Sequence, residues 1–323
     1  MAITITAFNA NGDATGLNFN SYLNAFDATF VNGSRGFFSD NPFDLAGDEY
    51  AVSSSADQTL PISDGQAVIM DSGAANELTY DFNTHTLGGS LDAVEFGTGL
   101  TYTSATDDFT TTRDVTITGL GLTGSGADGA VHKVVADLMN GSDDALRDVL
   151  EASDVIFRGG SGRDTMIGFG GDDTMNGGGS NDYLRGNAGE DSINGGAGND
   201  FLYGQVGADT VVGAAGHDVL DGGAGDDRLI GGGGRDRLVG GTGDDTFVFG
   251  KSFGVDRIAD FEAGAGGGDV IEFSTSLFSN FQDVLDHTTN VDGNAVIAFS
   301  ATTTLTLLGV TEAQLNANDF SFV

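Results

Sequence analysis

The chain has 323 residues, enough for two domains. Its 48 acidic residues against 12 basic ones leave a formal charge of -36, which argues against nucleic acid or an anionic membrane as a partner. There is no Cys, which excludes disulfides and zinc–thiolate or iron–sulfur chemistry.

The start, MAITITAFNANGDATG, has no basic opening and no apolar core of signal-peptide length, and no run approaches a membrane span. Ala2–Phe8 alternates as a strand does. Asn18–Phe30 spaces Leu23, Phe26 and Phe30 as on a helix, and residues 31–48 read as a loop. Strand patterns follow at Tyr50–Ser53, Ala67–Met70, Glu77–Phe82, Leu91–Phe96 and Phe109–Leu120. Ala130–Asn140 predicts a helix with Val131, Val134, Val135 and Leu138 on one face, and Asp143–Ala152 predicts another. Residues 1–152 therefore read as an α+β domain, a sheet with a few helices.

From Gly159 to Val248 one nine-residue phrase is repeated ten times without interruption. Position one is always Gly. Position six is always Asp: Asp164, Asp173, Asp182, Asp191, Asp200, Asp209, Asp218, Asp227, Asp236 and Asp245. Position eight is always large and apolar, from Met166 to Phe247. Glycines at positions one and four allow a tight turn over the first six residues, and the last three suit a short strand. One phrase cannot bury its apolar residue alone, whereas stacked phrases can. Two phrases make a coil of eighteen residues, so alternate aspartates stack in two columns about 4.8 Å apart along the stack. At about 5 Å two carboxylates repel by roughly 1 kcal/mol in water, and by several times that in a drier site. A hard cation reverses the sign by taking carboxylate and backbone oxygens, and calcium suits such a cage. The backbone candidates are the glycines at positions one and four, among them Gly195, Gly198, Gly222, Gly225, Gly231, Gly234, Gly240 and Gly243.

The phrase resembles the RTX nonapeptide GGxGxDxUx, which implies a parallel β-roll with calcium between its turns. Four neighbouring pairs per column imply up to eight sites. If each site saw about ten times its dissociation constant, eight would contribute roughly 11 kcal/mol, comparable to a whole domain. Folding of residues 153–248 is therefore expected to require calcium. The resemblance also implies a secreted, extracellular protein. It would be exported by a type I secretion apparatus that reads an uncleaved C-terminal signal, here AQLNANDFSFV.

Residues 249–323 read as a β-rich cap that shields the last coil, with strands at Val291–Phe299 and Thr303–Leu308, a turn at Asp292-Gly293 and a short helix at Thr311–Asn316. Gly250-Lys251-Ser252-Phe253-Gly254 has the spacing of a hydrolase nucleophile elbow, but it stands at the exit of a roll, not in a strand–turn–helix of an α/β sheet. No HExxH occurs. No catalysis is expected. His132 reads as a core or boundary residue of its helix, and His217 and His287 as solvated.

Three stretches of the first domain resemble the HasA-type hemophores: YAVSSSADQ at 50–58, LTYDFNTHTLGGSLDAVEFGTGL at 78–100 and GADGAVHKVVADLMNGSDDALRDVL at 126–150. The resemblance implies haem binding, with Tyr80 as the iron ligand assisted by His85. A His that accepts the phenol's hydrogen bond would raise its phenolate character toward ferric iron. The family's second ligand, a His in the loop after the first helix, has no counterpart in NGSRGFF at 32–38. Ligation by Tyr80 alone and loss of haem binding are the two alternatives. Phe37 and Phe38 would face either a porphyrin or the domain's own core. The function implied is haem capture outside the cell and delivery to an outer-membrane receptor. The alternative is a calcium-dependent extracellular structural or surface-assembly protein whose first domain binds protein, or copies of itself, rather than haem. Membrane insertion is not expected.

Overall fold

The structure is a computed structural model that describes the backbone of eight strands within residues 1–143, and residues 144–264 and 268–323. The chain forms two compact units, one reaching Phe157 and one built on Arg158–Val323.

The first unit holds an antiparallel sheet. Its strands are β1 (Ile3–Ala7), β2 (Phe37–Phe38), β3 (Ala46–Gly47), β4 (Glu49–Ser53), β5 (Ile62–Asp71), β6 (Leu78–Asp81), β7 (Thr86–Thr103) and β8 (Asp108–Gly124). They lie in the order β2-β4-β5-β7-β8-β1, and β6 pairs with both β3 and β7. Every strand expected from the alternation is present. Leu91–Phe96, however, is only the middle of the 18-residue β7. The β7–β8 register shifts at Leu91/Ala93, Phe96/Gly97 and Thr98/Thr101. Such irregularities bend a strand and break its clean two-residue period, which hides its ends in the sequence. The expected loop at 31–48 contains β2, whose Phe37 and Phe38 pair with Ala51 and Tyr50. The helices expected at Asn18–Phe30 and Ala130–Asn140, and with the latter His132, lie outside the described residues. The helix expected at Asp143–Ala152 is α1 (Asp144–Glu151), with Leu146 and Leu150 buried one turn apart. β9 (Val155–Arg158) follows.

The second unit is a parallel β-solenoid. Its strands are β10 (Thr165–Ile167), β11 (Thr174–Gly179), β12 (Tyr183–Ala188), β13 (Ser192–Ala197), β14 (Phe201–Val206), β15 (Thr210–Gly216), β16 (Val219–Ala224), β17 (Arg228–Gly234), β18 (Arg237–Thr242) and β19 (Thr246–Phe249). Successive strands alternate between two sheets, and each pairs in parallel with the strand eighteen residues on, as in Met175↔Ile193 and Leu184↔Leu202. The position-eight residues fill the space between the sheets. Met166 is 2 % exposed, and those from Met175 to Phe247 are fully buried. Positions seven and nine face outward. One apolar residue per phrase is therefore the whole internal packing, and it works only because neighbouring coils supply the contacts.

Coil geometry continues past Val248, beyond the last full phrase. β20 (Val255–Ile258) pairs in parallel with β18, and β21 (Val270–Phe273) with β19. α2 (Phe281–Asp286) comes next, capped by the Asn280 side chain. A hairpin of β22 (Thr288–Val291) and β23 (Asn294–Ser300) turns at Asp292 and Gly293, both with positive φ, as a two-residue hairpin turn requires. β24 (Thr303–Leu307) then joins β20 in parallel, and β25 (Phe320–Phe322) joins β21. The expected helix at Thr311–Asn316 is a single 3₁₀ turn, Glu312–Gln314. Phe249, Phe253, Phe273, Phe278 and Phe320 close the end, with Phe273 and Phe278 rings 4.8 Å apart. Among the described residues no helix is long and apolar enough to cross a membrane.

Candidate metal centre

The turns between strands bring the position-six aspartates into two columns. They are almost completely buried, from 0 % exposed at Asp200 to 3 % at Asp164. Each carboxylate reaches back one coil. The backbone N–H of Asp164 donates to Asp182 Oδ1 at 2.7 Å, Asp182 to Asp200 at 2.8 Å and Asp200 to Asp218 at 2.9 Å. The second column repeats this from Asp173 N–H to Asp191 Oδ1 through to Asp227 N–H to Asp245 Oδ1. One oxygen of each carboxyl thus has a fixed task. The other, Oδ2, is buried without a partner at Asp182, Asp191, Asp200, Asp209, Asp218, Asp227 and Asp236. A buried acceptor left unmade is costly, and the same orphaned oxygen at seven carboxyls is a donor arrangement that fits a cation.

Each column gains one aspartate beyond the sequence repeat. Asp236 N–H donates to Asp256 Oδ1 and Asp245 N–H to Asp269 Oδ1. Asp256 is 2 % exposed with its Oδ2 unpartnered, whereas Asp269 Oδ2 accepts from Glu262 N–H. The steps here are 20 and 24 residues instead of 18, so a strict nine-residue count passes over them. The local signal survives: Gly254-Val255-Asp256-Arg257-Ile258 and Gly267-Gly268-Asp269-Val270-Ile271 both keep Gly, Asp and an apolar residue at the spacing of positions four, six and eight.

Glycine acts here for two different reasons. Position one needs space, not an unusual angle. A Cβ on Gly231 would stand 2.6 Å from Asp236 Oδ2, and the same collision recurs from Gly159 to Gly240. Positions two and four need the left-handed region, as at Gly223 (φ 111) and Gly225 (φ 133). The sequence reading assigned the turn to positions one and four. The structure moves the conformational demand to two and four, and position two meets it without glycine at Asn187, Gln205 and Ala214. The carbonyls of positions one, two and four face a neighbouring coil, as Gly222 O faces Gly204, Gly178 O faces Gly196 and Ser180 O faces Gly198. Carboxylate and carbonyl oxygens thus line the same turns. This donor set fits a hard, oxygen-seeking cation. It also explains why no group of three or more ligating side chains occurs among the described residues.

Burial dominates the electrostatics. It pushes the carboxyls of Asp182, Asp191, Asp218 and Asp227 up to about 7, and Asp256 up to about 8. Repulsion from neighbours in the same column adds to the rise, and the backbone N–H bond opposes it. Asp245 rises to about 6 for the same reasons.

Position five, whose residue varies from phrase to phrase, carries a second ladder. Asn199 N–H donates to Asn181 Oδ1, His217 N–H to Asn199 Oδ1 and Arg235 N–H to His217 Nδ1, each at 2.8–2.9 Å. His217 is exposed, and its Nδ1 accepts the Arg235 N–H. The clue in the sequence is the run of short acceptors at this position: Asp172, Asn181, Asn199, His217, Asp226 and Asp244. His287 is exposed too and bonds to Asp283 O. Ser252 lies exposed in the turn after β19. Tyr80 stands on β6 opposite Leu87, and His85 lies outside the described residues.

Comparison with known proteins gives two family matches. Residues 17–159 match the model of Heme-binding protein A (HasA), and four copies of the RTX calcium-binding nonapeptide repeat match between residues 156 and 247. The chain is 34 % identical over 163 residues to the hemophore HasA of Serratia marcescens, covering 45 % of this chain and 80 % of the relative. Among solved structures, the apo hemophore HasA of Yersinia pestis is 27 % identical and covers 47 % of this chain and 87 % of its own, with a TM-score of 0.37. The AlgE6R3 subunit of the Azotobacter vinelandii mannuronan C5-epimerase is 29 % identical over 44 % of this chain and 78 % of its own, with a TM-score of 0.30. Of the two matched families, one is haem-binding and the other calcium-binding; both are secreted, and both are defined by binding, not by catalysis. An α+β domain with three hemophore-like stretches, joined to a roll of buried aspartate columns, places this chain in the HasA hemophore family, extended by an RTX calcium-binding β-roll.

Proposed function

We propose that the protein captures haem outside the cell and hands it to a surface receptor, and that its second unit folds only where calcium is available. The observation that carries the calcium half is the row of buried, unpartnered Oδ2 atoms in both columns. Calcium lies between successive aspartates, from Asp164 to Asp236 and Asp256 in one column and from Asp173 to Asp245 and Asp269 in the other. Backbone oxygens of glycines such as Gly195, Gly198, Gly222, Gly225, Gly231, Gly234, Gly240 and Gly243 complete the shell. The haem half rests on family membership and on Tyr80, with His85 assisting and no second protein ligand to iron. Export uses the C-terminal segment before it folds onto β21.

Hemin titration of the calcium-loaded protein tests the haem half. A Soret band with the charge-transfer bands of a tyrosinate complex is expected, and Tyr80→Ala should weaken binding at least about tenfold, the loss of a single strong ligand contact. An unchanged spectrum in Tyr80→Ala removes the assignment. If no band forms and calcium drives sedimentation, the protein is an assembly module.

A further inference from the structure

The last coils carry a cluster of positive charge that nothing in the calcium columns uses. β18 and β20 place Arg237 and Arg257 side by side as register partners. Like charges directly opposite on neighbouring strands are destabilising. A chain with 48 carboxylates and only 12 Lys and Arg residues could easily pair them. It does so elsewhere: Arg228 makes a bidentate bridge to Glu272, the shorter contact being 2.7 Å. Arg237 is within electrostatic reach of Asp221 but forms no salt bridge with it. Among the described residues, none of Arg235, Arg237 and Arg257 forms a salt bridge.

All three line one cavity of about 570 Å³, a volume within the range of small-molecule sites. Val219, Val255 and Leu308 contribute apolar surface to its lining around the arginines, and the last two are each 36 % exposed. Asp218, Asp236 and Asp256 also border the cavity, and calcium bound as proposed above would balance their charge. Two guanidinium groups one strand spacing apart can each give parallel N–H bonds to one carboxylate, a geometry that a lysine pair would not offer.

We propose that this cavity is a binding site for a small organic carboxylate with an apolar body, its head clamped by Arg237 and Arg257, with Arg235 at the rim and its body against the apolar part of the lining. The inference assumes the calcium-loaded roll. It does not depend on the haem reading.

The test is titration of the full-length protein, in saturating calcium, with octanoate and with acetate. Octanoate should bind saturably and at least about tenfold more tightly than acetate, since burying two methylene groups already suffices for that factor. The Arg237→Gln/Arg257→Gln variant should lose octanoate binding at least tenfold while keeping its calcium stoichiometry and circular dichroism. Without ligand, this variant should melt higher than the wild type, because the like-charge pair is gone. Octanoate should raise the melting temperature of the wild type only. No octanoate binding by about 10 mM, equal affinity for acetate, or undiminished binding in the variant would each overturn the site. Calcium stoichiometry, read in the same samples, keeps a failure here separate from a failure of the calcium assignment.

Discussion

At the scale of single residues, the repeat distinguishes glycines that sequence alone presents as equals. Gly222→Ala drives a methyl group into the Asp227 carboxylate, while Gly233→Ala meets nothing closer than Ser252 O at 3.5 Å. The first should cost about 1–3 kcal/mol, typical of overpacking, and the second little, as read from melting curves in calcium. The carboxyls give a second prediction. Their folded values, about 7 at Asp182, Asp191, Asp218 and Asp227, stand above the ordinary 3.8. Without calcium the folded roll therefore holds more protons than the unfolded chain, so its stability falls as pH rises from about 4 to 7. Calcium needs the ionised form, so metal binding near pH 7 must release protons. Calorimetry in two buffers of different ionisation enthalpy should give different apparent heats, and identical heats would contradict the burial argument. The invariant positions could be read directly, because a column repeated ten times states its own rule. The division of labour among glycines could not, because space and φ leave the same letter in the sequence.

At the scale of elements, the roll was legible and its ends were not. Ten uninterrupted phrases fix strand length, pairing step and buried face at once. β20 and β21 keep the same pairing but follow insertions, and the extra residues leave the coil path without disturbing Asp256 or Asp269. Asp256→Asn keeps an acceptor for Asp236 N–H while removing one charge from the column. It should lower the calcium stoichiometry by about one and leave the aromatic closure of Phe273, Phe278 and Phe320 folded, as monitored by near-ultraviolet dichroism. In the first unit, β7 and β8 pair through several register shifts, and residues far apart in sequence decide where each strand ends. Local alternation finds the middle of such strands and little more. Tyr80 and His85 were reached through resemblance, because a tyrosine on a strand and a neighbouring histidine carry no distinctive spacing of their own.

At the scale of the whole molecule, charge and stability are tied together. A formal charge of -36 opposes compaction, and part of it is buried in two files of carboxylates. Exhaustive chelation with EGTA should abolish most of the β signal of Arg158–Val323, and excess calcium should restore it. A roll that kept its full β content and melting temperature after chelation would refute the calcium-gated fold.

The hydrogen bonds of the aspartate columns also have a direction. Every position-six amide is satisfied by the coil that comes after it, never by the one before, and the last of these donors, Asp245, leans on Asp269, itself held by Glu262. Such one-way dependence makes the C-terminal end the anchor of a zip. Teeth nearest that anchor close first and open last, so amide exchange should slow progressively from the Asp164 end toward Asp245, and deleting the anchor should unravel the row from the back.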